Sequence, residues 1–442
     1  MTIRSSQQRT TKVAFVSLSP DPDGGELGPL ELPSYGVHRI LAAVHNMKSE
    51  MDVDVRYFDY ARLGKVGLTN ALAAFAPDIV GFSMYVWSTV PLIRAARRLK
   101  DASPETFVIF GGPSARSGVF DLEPYRGAHT YLDAVAEGDG EVLIQQIIRM
   151  PDRSPANLAR IGGLALPKPD GTWIKTGFAP SVPMDEIASP YQQNLMPHGA
   201  VAYLETYRGC PLSCRFCEWG AVRPAKDVFS TDYIANEINA FEQLEAPAVF
   251  LLDAGLNLNA SAFRNLAAAN DQTNHLKDAM FWAEIYPSTV RPKHLEFLEN
   301  IGTSYLGVGL QSTDQAVLDA HDRKIDQTRF EPAVRDLAKV ANNLEIQIIF
   351  GLPGETPEGF MRTLDFALAM PGGVRAYHCL VLPDALLNRS RPEWDIKFDP
   401  INFAMTSNAQ WSKYDIRNMR ARLDQMSKQH NGSSGTFWWS FK

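Results

Sequence analysis

The stretch Thr206-Tyr-Arg-Gly-Cys-Pro-Leu-Ser-Cys-Arg-Phe-Cys-Glu-Trp-Gly220 decides how this chain is read. Cys210, Cys214 and Cys217 stand at C-x3-C-x2-C spacing, and three thiolates so placed can wrap one corner of a cubane. Cysteine thiolates are the usual ligands of iron–sulfur clusters, and a [4Fe-4S] cluster normally takes four. Three leave one iron open to a small molecule, the arrangement of a cluster that does chemistry rather than one that only carries electrons. Structural zinc is the alternative, and it wants four ligands, usually as two pairs. The chain holds four cysteines; the fourth, Cys379, is distant, and no histidine pair stands near the triplet. The odd count and compact spacing argue against disulfides.

Around this run the sequence alternates strands and helices. Val201–Thr206 reads as the strand that leads into the cysteine loop. Ala248–Asp253, Ala279–Glu284, Tyr305–Ser312, Glu345–Glu355 and Ala376–Leu382 follow as further strands, with a helix over Thr231–Leu244 that Ser230 caps. Six strands with intervening helices predict a partial (β/α)6 TIM-type barrel. In barrels the polar groups at the carboxyl ends of strands read as catalytic or binding. Here those ends carry Asp253, Asn257, Glu284, Gln311, Ser312 and the Gly351-Leu-Pro-Gly-Glu355 turn.

Upstream, Lys12–Ser17, Asp52–Phe58, Asp78–Ser83, Thr106–Pro113 and Ala134–Glu141 read as strands. Helices are expected over Pro33–His45, Leu68–Phe75 and Val90–Leu99. Such alternation predicts an α/β, doubly wound, Rossmann-like sheet whose ligands bind outside the carboxyl ends of the strands. No GxGxxG follows the first strand and no P-loop is present. The proline- and glycine-rich stretch 151–195 reads as a linker with a small hairpin. The expected division is a tail over 1–10, domains over 11–150 and 196–383 joined by that linker, and a short helical extension over 384–442. The aromatic run Phe437-Trp-Trp-Ser-Phe441 is read as a packing plug, with a cap over the barrel mouth as the alternative.

With Phe216 just before the third cysteine, the run resembles the signature of radical S-adenosylmethionine (SAM) enzymes, in which the open iron is chelated by SAM. Gly-Val-Gly-Leu-Gln-Ser312 and Ile-Ile-Phe-Gly-Leu-Pro-Gly-Glu-Thr356 are similar to barrel strands of that family over residues 200–383. The resemblance implies SAM at the barrel top. Glu284, Gln311 and Ser312 would face its ribose and amino acid portion, and Phe216 with the backbone of Ile349, Gly351 and Leu352 its adenine. Glu284 has a plainer alternative in an ion pair with Arg291 or Lys293. Tyr377 and His378 are the catalytic candidates, and alternation puts only one of them toward the substrate. Cys379, in an apolar strand, is expected to behave as a small hydrophobe.

Gly-Phe-Ser83, Gly-Gly-Pro113 and Glu-Gly-Asp-Gly-Glu141 resemble the strand-end loops of the cobalamin-binding domain that precedes many radical SAM domains. Carried over, Ser83, Met84, Tyr85, Gly111, Gly112, Pro113, Glu137, Gly138 and Gly140 are the implied cobalamin contacts, with the loop Ser19–Gly36 lining the same pocket. One departure stands out. The Asp-x-His-x-x-Gly loop of histidine-ligating cobalamin proteins is replaced by Ser19-Pro-Asp-Pro-Asp-Gly-Gly25, so no histidine from this domain is expected on cobalt. His38 and Arg39 are near enough in sequence to approach the ring, but read as ordinary helix residues pairing with acids. A relic domain that binds nothing is the alternative.

The order of parts resembles the cobalamin-dependent radical SAM enzymes. It implies a methyltransferase acting on an unactivated carbon of a small-molecule or peptide substrate, via methylcobalamin and a 5′-deoxyadenosyl radical. The implied cofactors are a [4Fe-4S] cluster, SAM and cobalamin, with an electron donor such as flavodoxin or ferredoxin. The alternatives are a radical SAM enzyme catalysing a non-methylating rearrangement, oxidation or cyclisation, and a non-catalytic cobalamin- or cluster-binding sensor. A net charge of −7 over 442 residues gives no electrostatic footprint for nucleic acid or an anionic membrane. No apolar run of about 18 residues predicts a membrane helix. Three cysteines committed to a cluster point to a reducing, cytoplasmic setting.

Overall fold

The computed structural model describes residues 9–19, 30–222 and 227–442. The chain divides into two compact units, Met1–Pro197 and His198–Lys442.

The first unit is built on a seven-stranded sheet. Its strands are β1 (Thr11–Ser17), β2 (Val53–Asp59), β3 (Ile79–Ser83), β4 (Phe107–Gly111), β5 (Ala134–Ala136), β6 (Leu164–Pro167) and β7 (Trp173–Lys175). Their order is β2-β1-β3-β4-β5-β6-β7, the first five parallel. Apolar runs such as Val-Ala-Phe-Val in β1 suit strands buried on both faces. Val13, Phe15 and Ile79 of the sheet pack with Val37 and Leu41 of the helix Tyr35–Asn46 and with Ile144 and Ile147 of the helix Gly140–Arg149. The order 2-1-3-4-5 places a topological switch point between β1 and β3, where neighbouring connections leave on opposite faces and open a crevice.

Two features differ from the sequence expectation. The helix before β3 runs over Tyr60–Phe75 and is broken at Gly64 (φ 65°), so it starts well before Leu68. The hairpin of the 151–195 stretch also joins the main sheet, because β6 pairs antiparallel with β5 through Val135 and Ala165. An exposed edge strand presents unpaired backbone groups that a hairpin satisfies. The prolines and glycines there mark the turns of sheet strands.

In the second unit β8 (Ala202–Leu204), β9 (Ala248–Leu251), β10 (Met280–Ile285), β11 (Ser304–Gln311), β12 (Asn343–Phe350) and β13 (Gly373–His378) are parallel neighbours in chain order. This is the expected six-stranded partial barrel. The extension adds a ribbon of β14 (Lys397–Phe398) and β15 (Met405–Ser407), the helix Lys413–Gln429 and β16 (Trp438–Phe441). β16 runs antiparallel along β13, with Trp438 beside Tyr377 and Trp439 fully buried. The C-terminal aromatic run is therefore a packed edge strand.

Burial alternates along the barrel strands with a consequence for the site. Phe281, Ala283 and Ile285 of β10 are buried, whereas Trp282 is half-buried and Glu284 exposed. Gln347 and Ile349 of β12, and Arg375 and Tyr377 of β13, repeat the half-buried pattern between buried neighbours. The outward set packs under the helices, and the inward set faces an open lumen instead of the packed layers that fill a closed barrel. Tyr203, Phe250, Trp282 and Tyr305 form its floor, with successive ring centroids 5.8, 4.3 and 4.7 Å apart. The floor continues through Glu345, which accepts from the Tyr305 hydroxyl, to Arg375 at 2.7 Å. Among the described residues no helix is long and apolar enough to cross a membrane.

Candidate cluster and cofactor sites

The cysteine loop leaves the carboxyl end of β8 held by Asp253. That carboxylate, 4% exposed, accepts the backbone N–H groups of Thr206 at 2.8 Å and Tyr207 at 3.3 Å. Burial pushes its pKa up to about 7. Beyond it, the Leu212 N–H lies 3.4 Å from the Cys210 sulfur, and Cys217 N–H donates to the Cys214 carbonyl at 3.1 Å. Burial raises the Cys210 thiol and lifts Cys217 to about 11; the charges of neighbouring cysteines push the same way and Arg323 opposes them. Three mutually repelling thiolates in one half-buried loop need a polycation to hold them ionised, which an iron–sulfur core supplies. Among the described residues no group of three or more His, Cys, Asp or Glu side chains is drawn together around a single ion. Three thiols with no histidine pair near them in the sequence suit a cluster with one open iron better than four-coordinate zinc.

Guanidinium groups surround the loop. Arg323, 9% exposed, donates to the Gly309 carbonyl at 2.6 Å, lies 4.7 Å from the centre of the Tyr286 ring, and reaches within 4.0 Å of the Cys214 sulfur. Arg389 donates to the Ser213 carbonyl at 3.2 Å, the Cys214 carbonyl at 2.9 Å and the Cys217 carbonyl. Arg215, inside the loop, pairs with Asp322 at 2.9 Å. No spacing in the sequence marks Arg323 or Arg389, because each reaches the loop from more than a hundred residues away.

Glu284 opens onto the lumen, where Gln347 donates to its carboxylate at 2.9 Å. Although its carboxylate is open to the lumen, desolvation by the surrounding protein raises its pKa, against lowering by the Gln347 hydrogen bond and the Arg323 charge. The glycines of Gly-Val-Gly-Leu-Gln make room for this set. A Cβ on Gly307 would stand 2.4 Å from the Glu284 carboxylate and 2.6 Å from the Gln347 amide. A Cβ on Gly309 would meet the Gln311 amide at 2.7 Å and Arg323 at 3.0 Å. Gln311 sits at a bulge with φ 72°, and its side-chain carbonyl is buried without a partner. Such an acceptor is the kind of group a ligand hydroxyl or amine would satisfy.

The other expected residues are distributed by burial. Phe216, Ile349 and Leu352 join one apolar cluster with Cys379, Val381 and Trp394. Gly351 offers its carbonyl to Asn408 at 2.9 Å. Ser312 is fully buried and donates to Glu355 at 2.7 Å, inside a network with Thr363. Asn257 ties the β9 loop to Tyr286 by two hydrogen bonds of 2.8 Å. Tyr377 is on the lumen side, where burial and then Glu345 raise its pKa. His378 points the opposite way, stacked on Phe350 and held by Met405 and Arg420, with burial lowering its pKa to about 4. Cys379 is 2% exposed, and burial alone lifts its thiol to about 12, as suits a small hydrophobe.

In the first unit Ser83, Met84 and Tyr85 lie at the end of β3, Gly111, Gly112 and Pro113 at the end of β4, and Glu137, Gly138 and Gly140 after β5, all at the carboxyl ends of interior parallel strands. The first two turns are locked together: Met84 N–H donates to Gly111 at 2.7 Å, and Gly112 (φ 98°) lies so close to Met84 that a Cβ would meet its carbonyl at 2.8 Å. Glu137 is held by the Ser117 N–H at 2.8 Å and by Lys175. A Cβ on Gly138 would meet Ala179 at 2.5 Å, and one on Gly140 would meet Ile40 at 3.0 Å. His38 donates from Nδ1–H to the Ser34 carbonyl at 2.8 Å and stands edge-on to Tyr57; Arg39 donates to the Ala188 carbonyl. Residues 20–29 of the first loop lie outside the described residues. Sequence reading overlooked Trp87. It is 52% exposed at the switch point, stacked on Tyr85 at 4.6 Å with its indole N–H on the Leu18 carbonyl.

Comparison with known proteins adds a domain match. The profile described as the radical SAM superfamily matches residues 204–367, from the end of β8 to the helix after β12. Residues 204–367 carry a radical SAM domain.

Among the curated proteins the chain is similar to are a 2-(S-pantetheinyl)-carbapenam-3-carboxylate methyltransferase of Streptantibioticus cattleyicolor and the cobalamin-dependent radical SAM methyltransferase TokK of Streptomyces tokunonensis. The first is 29% identical over 341 residues and the second 27% over 335, each covering 71% of this chain and 48% of the relative. The chain therefore spans about half the length of the curated relatives it matches. The solved structure of the cobalamin-dependent SAM radical enzyme OxsB, with aqua-cobalamin and SAM bound, superposes with a TM-score of 0.71. It is 14% identical, and the match covers 95% of this chain and 68% of that one, a likeness of fold. Radical SAM enzymes use a [4Fe-4S] cluster and SAM, and the three-cysteine loop and lumen carboxylate of this domain fit that pair.

Proposed function

We propose that the chain is a cobalamin-dependent radical SAM methyltransferase acting on an unactivated carbon of a small-molecule or peptide substrate. The observation that carries the reading is the three-thiol loop, compensated by arginines, at the carboxyl end of an open barrel lumen. The relatives' names support methyl transfer, and the crevice of the 2-1-3-4-5 sheet supports cobalamin. When bound, the cluster and SAM supply a hydrogen-abstracting radical and cobalamin a methyl carrier; the protein's share is binding and orientation.

Cys210, Cys214 and Cys217 each hold one iron. Glu284, held by Gln347, and the unpartnered Gln311 carbonyl offer acceptors for the ribose and ammonium of SAM, beside the apolar group of Phe216, Ile349 and Leu352. Ser312 serves the turn through Glu355. Tyr377 is the lumen-side candidate for contact with reactants. In the first unit Ser83–Tyr85, Gly111–Pro113 and Glu137–Gly140 line the cobalamin crevice with Trp87, and cobalt takes no histidine from this domain. A flavodoxin or ferredoxin in a reducing cytoplasm provides the electrons.

Anaerobic reconstitution followed by product analysis tests this. Two SAM are consumed per product, giving S-adenosylhomocysteine and 5′-deoxyadenosine in equal amounts. Replacing any of the three cysteines with Ala abolishes cluster absorption and SAM cleavage. Deoxyadenosine without S-adenosylhomocysteine would mean a non-methylating enzyme, and S-adenosylhomocysteine alone a polar methyl transfer. Neither product, with the cofactors loaded and a strong reductant supplied, would leave a sensor.

A further inference from the structure

The C-terminal extension does more than close the sheet. Its segment Pro383–Leu387 and the residues just after it run against the cysteine loop, and the contacts are reciprocal. Arg389 donates to three carbonyls of the loop, those of Ser213, Cys214 and Cys217, and anchors its own Nε on the Asp384 carbonyl at 2.8 Å. In return Arg215 of the loop donates to the Arg389 carbonyl at 3.1 Å, and the Asp384 N–H lies 3.2 Å from the Glu218 carboxylate. The carbonyls that Arg389 gathers include those of two cluster cysteines, in a loop with little regular structure of its own. No side chain within the loop makes a comparable set of contacts to its carbonyls among the described residues.

We propose that Arg389 is the positioning residue of the cluster: its forked guanidinium fixes the three-cysteine loop and places a permanent positive charge beside the iron site. The inference rests on the radical SAM reading above. One-electron reduction adds a negative charge to a cluster that three thiolates already make anionic. A fixed cation nearby favours the reduced form, and cluster potentials respond to charge and hydrogen bonding in this way. Outer-shell partners that orient metal ligands act through the same physics. Lysine would keep the charge without the fork, and glutamine would keep some hydrogen bonding without the charge.

The two contributions separate in a redox titration of the reconstituted full chain, read by electron paramagnetic resonance, with iron and sulfide content and circular dichroism alongside. In Arg389→Gln the ratio of reduced to oxidised cluster at a fixed potential falls about tenfold, a shift of ~59 mV for one electron. In Arg389→Lys that ratio stays within about threefold of the parent, while the cluster is lost faster in air because the fork is gone. Arg417→Gln, an exposed arginine on the same extension whose contact is the Lys413 carbonyl, behaves as the parent. Full cluster content with an unchanged potential in Arg389→Gln overturns the proposal. So does loss of fold and cluster together in both variants, since the residue is then merely structural. A parent protein that takes up no [4Fe-4S] cluster at all refutes the radical SAM reading instead.

Discussion

The two sheets use glycine in and after their strands in opposite ways. In the first unit the space beside these glycines is taken by the unit's own backbone and apolar groups. A Cβ on Gly81 would meet the Phe15 ring at 2.7 Å, one on Gly112 the Met84 backbone, and one on Gly138 the Ala179 methyl. In the second unit Gly307 and Gly309 clear space for polar side chains, the Glu284–Gln347 pair and Gln311 with Arg323. The same residue type therefore marks close packing in one sheet and a furnished lumen in the other. Sequence reading made the first set ligand contacts by resemblance and gave the second only as part of a strand motif. The neighbour of the missing Cβ tells them apart.

The largest expected effect comes from the lumen side. Gly307→Ala forces the Glu284 carboxylate and the Gln347 amide apart, since both stand inside contact distance of the new methyl. SAM cleavage by the reconstituted protein falls about a hundredfold, the order of loss expected when a positioning contact is displaced by about an ångström. Iron content and melting temperature change little, because Glu284 can swing into the open lumen. A large drop in melting temperature with unchanged cleavage per cluster would put Gly307 in the same class as Gly81.

Much of this was legible in advance, and the limits follow from where information sits in a chain. All the parallel strands of both sheets were read as strands, though the last was expected over Ala376–Leu382 and lies at Gly373–His378, and the cysteine loop announced itself by spacing. Alternation put Tyr377 and His378 on opposite faces, but which face was the lumen depended on Met405 and Arg420 covering His378, and both come from the extension. Ser312 read as a ligand contact because it ends a strand; its burial beside Glu355 is a tertiary fact. Arg323 and Arg389 left no signal, since long-range contacts of single arginines have no period or motif. The hairpin of β6 and β7 was seen, but its pairing onto β5 was not, because turn residues report a turn without naming the strand beyond it.

A pH measurement sharpens the comparison in the second unit. Glu355, 1% exposed behind Ser312 and Thr363, has its pKa pushed up to about 7 by burial. Its folded pKa thus exceeds its unfolded value near 4.5, so the native state holds a proton that the unfolded chain releases in that window. The associated stability is complete below about pH 4.5 and is lost as pH rises toward 7, at most about 3 kcal/mol. Glu355→Gln keeps a neutral hydrogen-bonding group and removes the titration. Urea midpoints at pH 5 and pH 8 should differ less in the variant than in the parent. Asp253 contributes a slope of the same sign to both, so the difference between the two proteins is the quantity to read. Equal slopes would mean that Glu355 is ionised in the native protein.

The smallest effect tests the first unit most directly. Gly138 lies in a strand-end loop whose family resemblance makes it a cobalamin contact, yet the direction a side chain would take is filled by Ala179. Gly138→Ala should cost about 1 kcal/mol, the lower end for overpacking, because Ala179 follows a hairpin strand and can shift by less than an ångström. Ala179→Gly should restore most of it in the double variant, a coupling that neighbouring residues show and distant ones do not. Cobalamin retained after gel filtration should be equal in all four proteins if packing alone demands the glycine. If Gly138→Ala loses cobalamin and Ala179→Gly fails to restore it, the glycine is facing the ligand after all. The first sheet would then use its strand-end glycines as the second does.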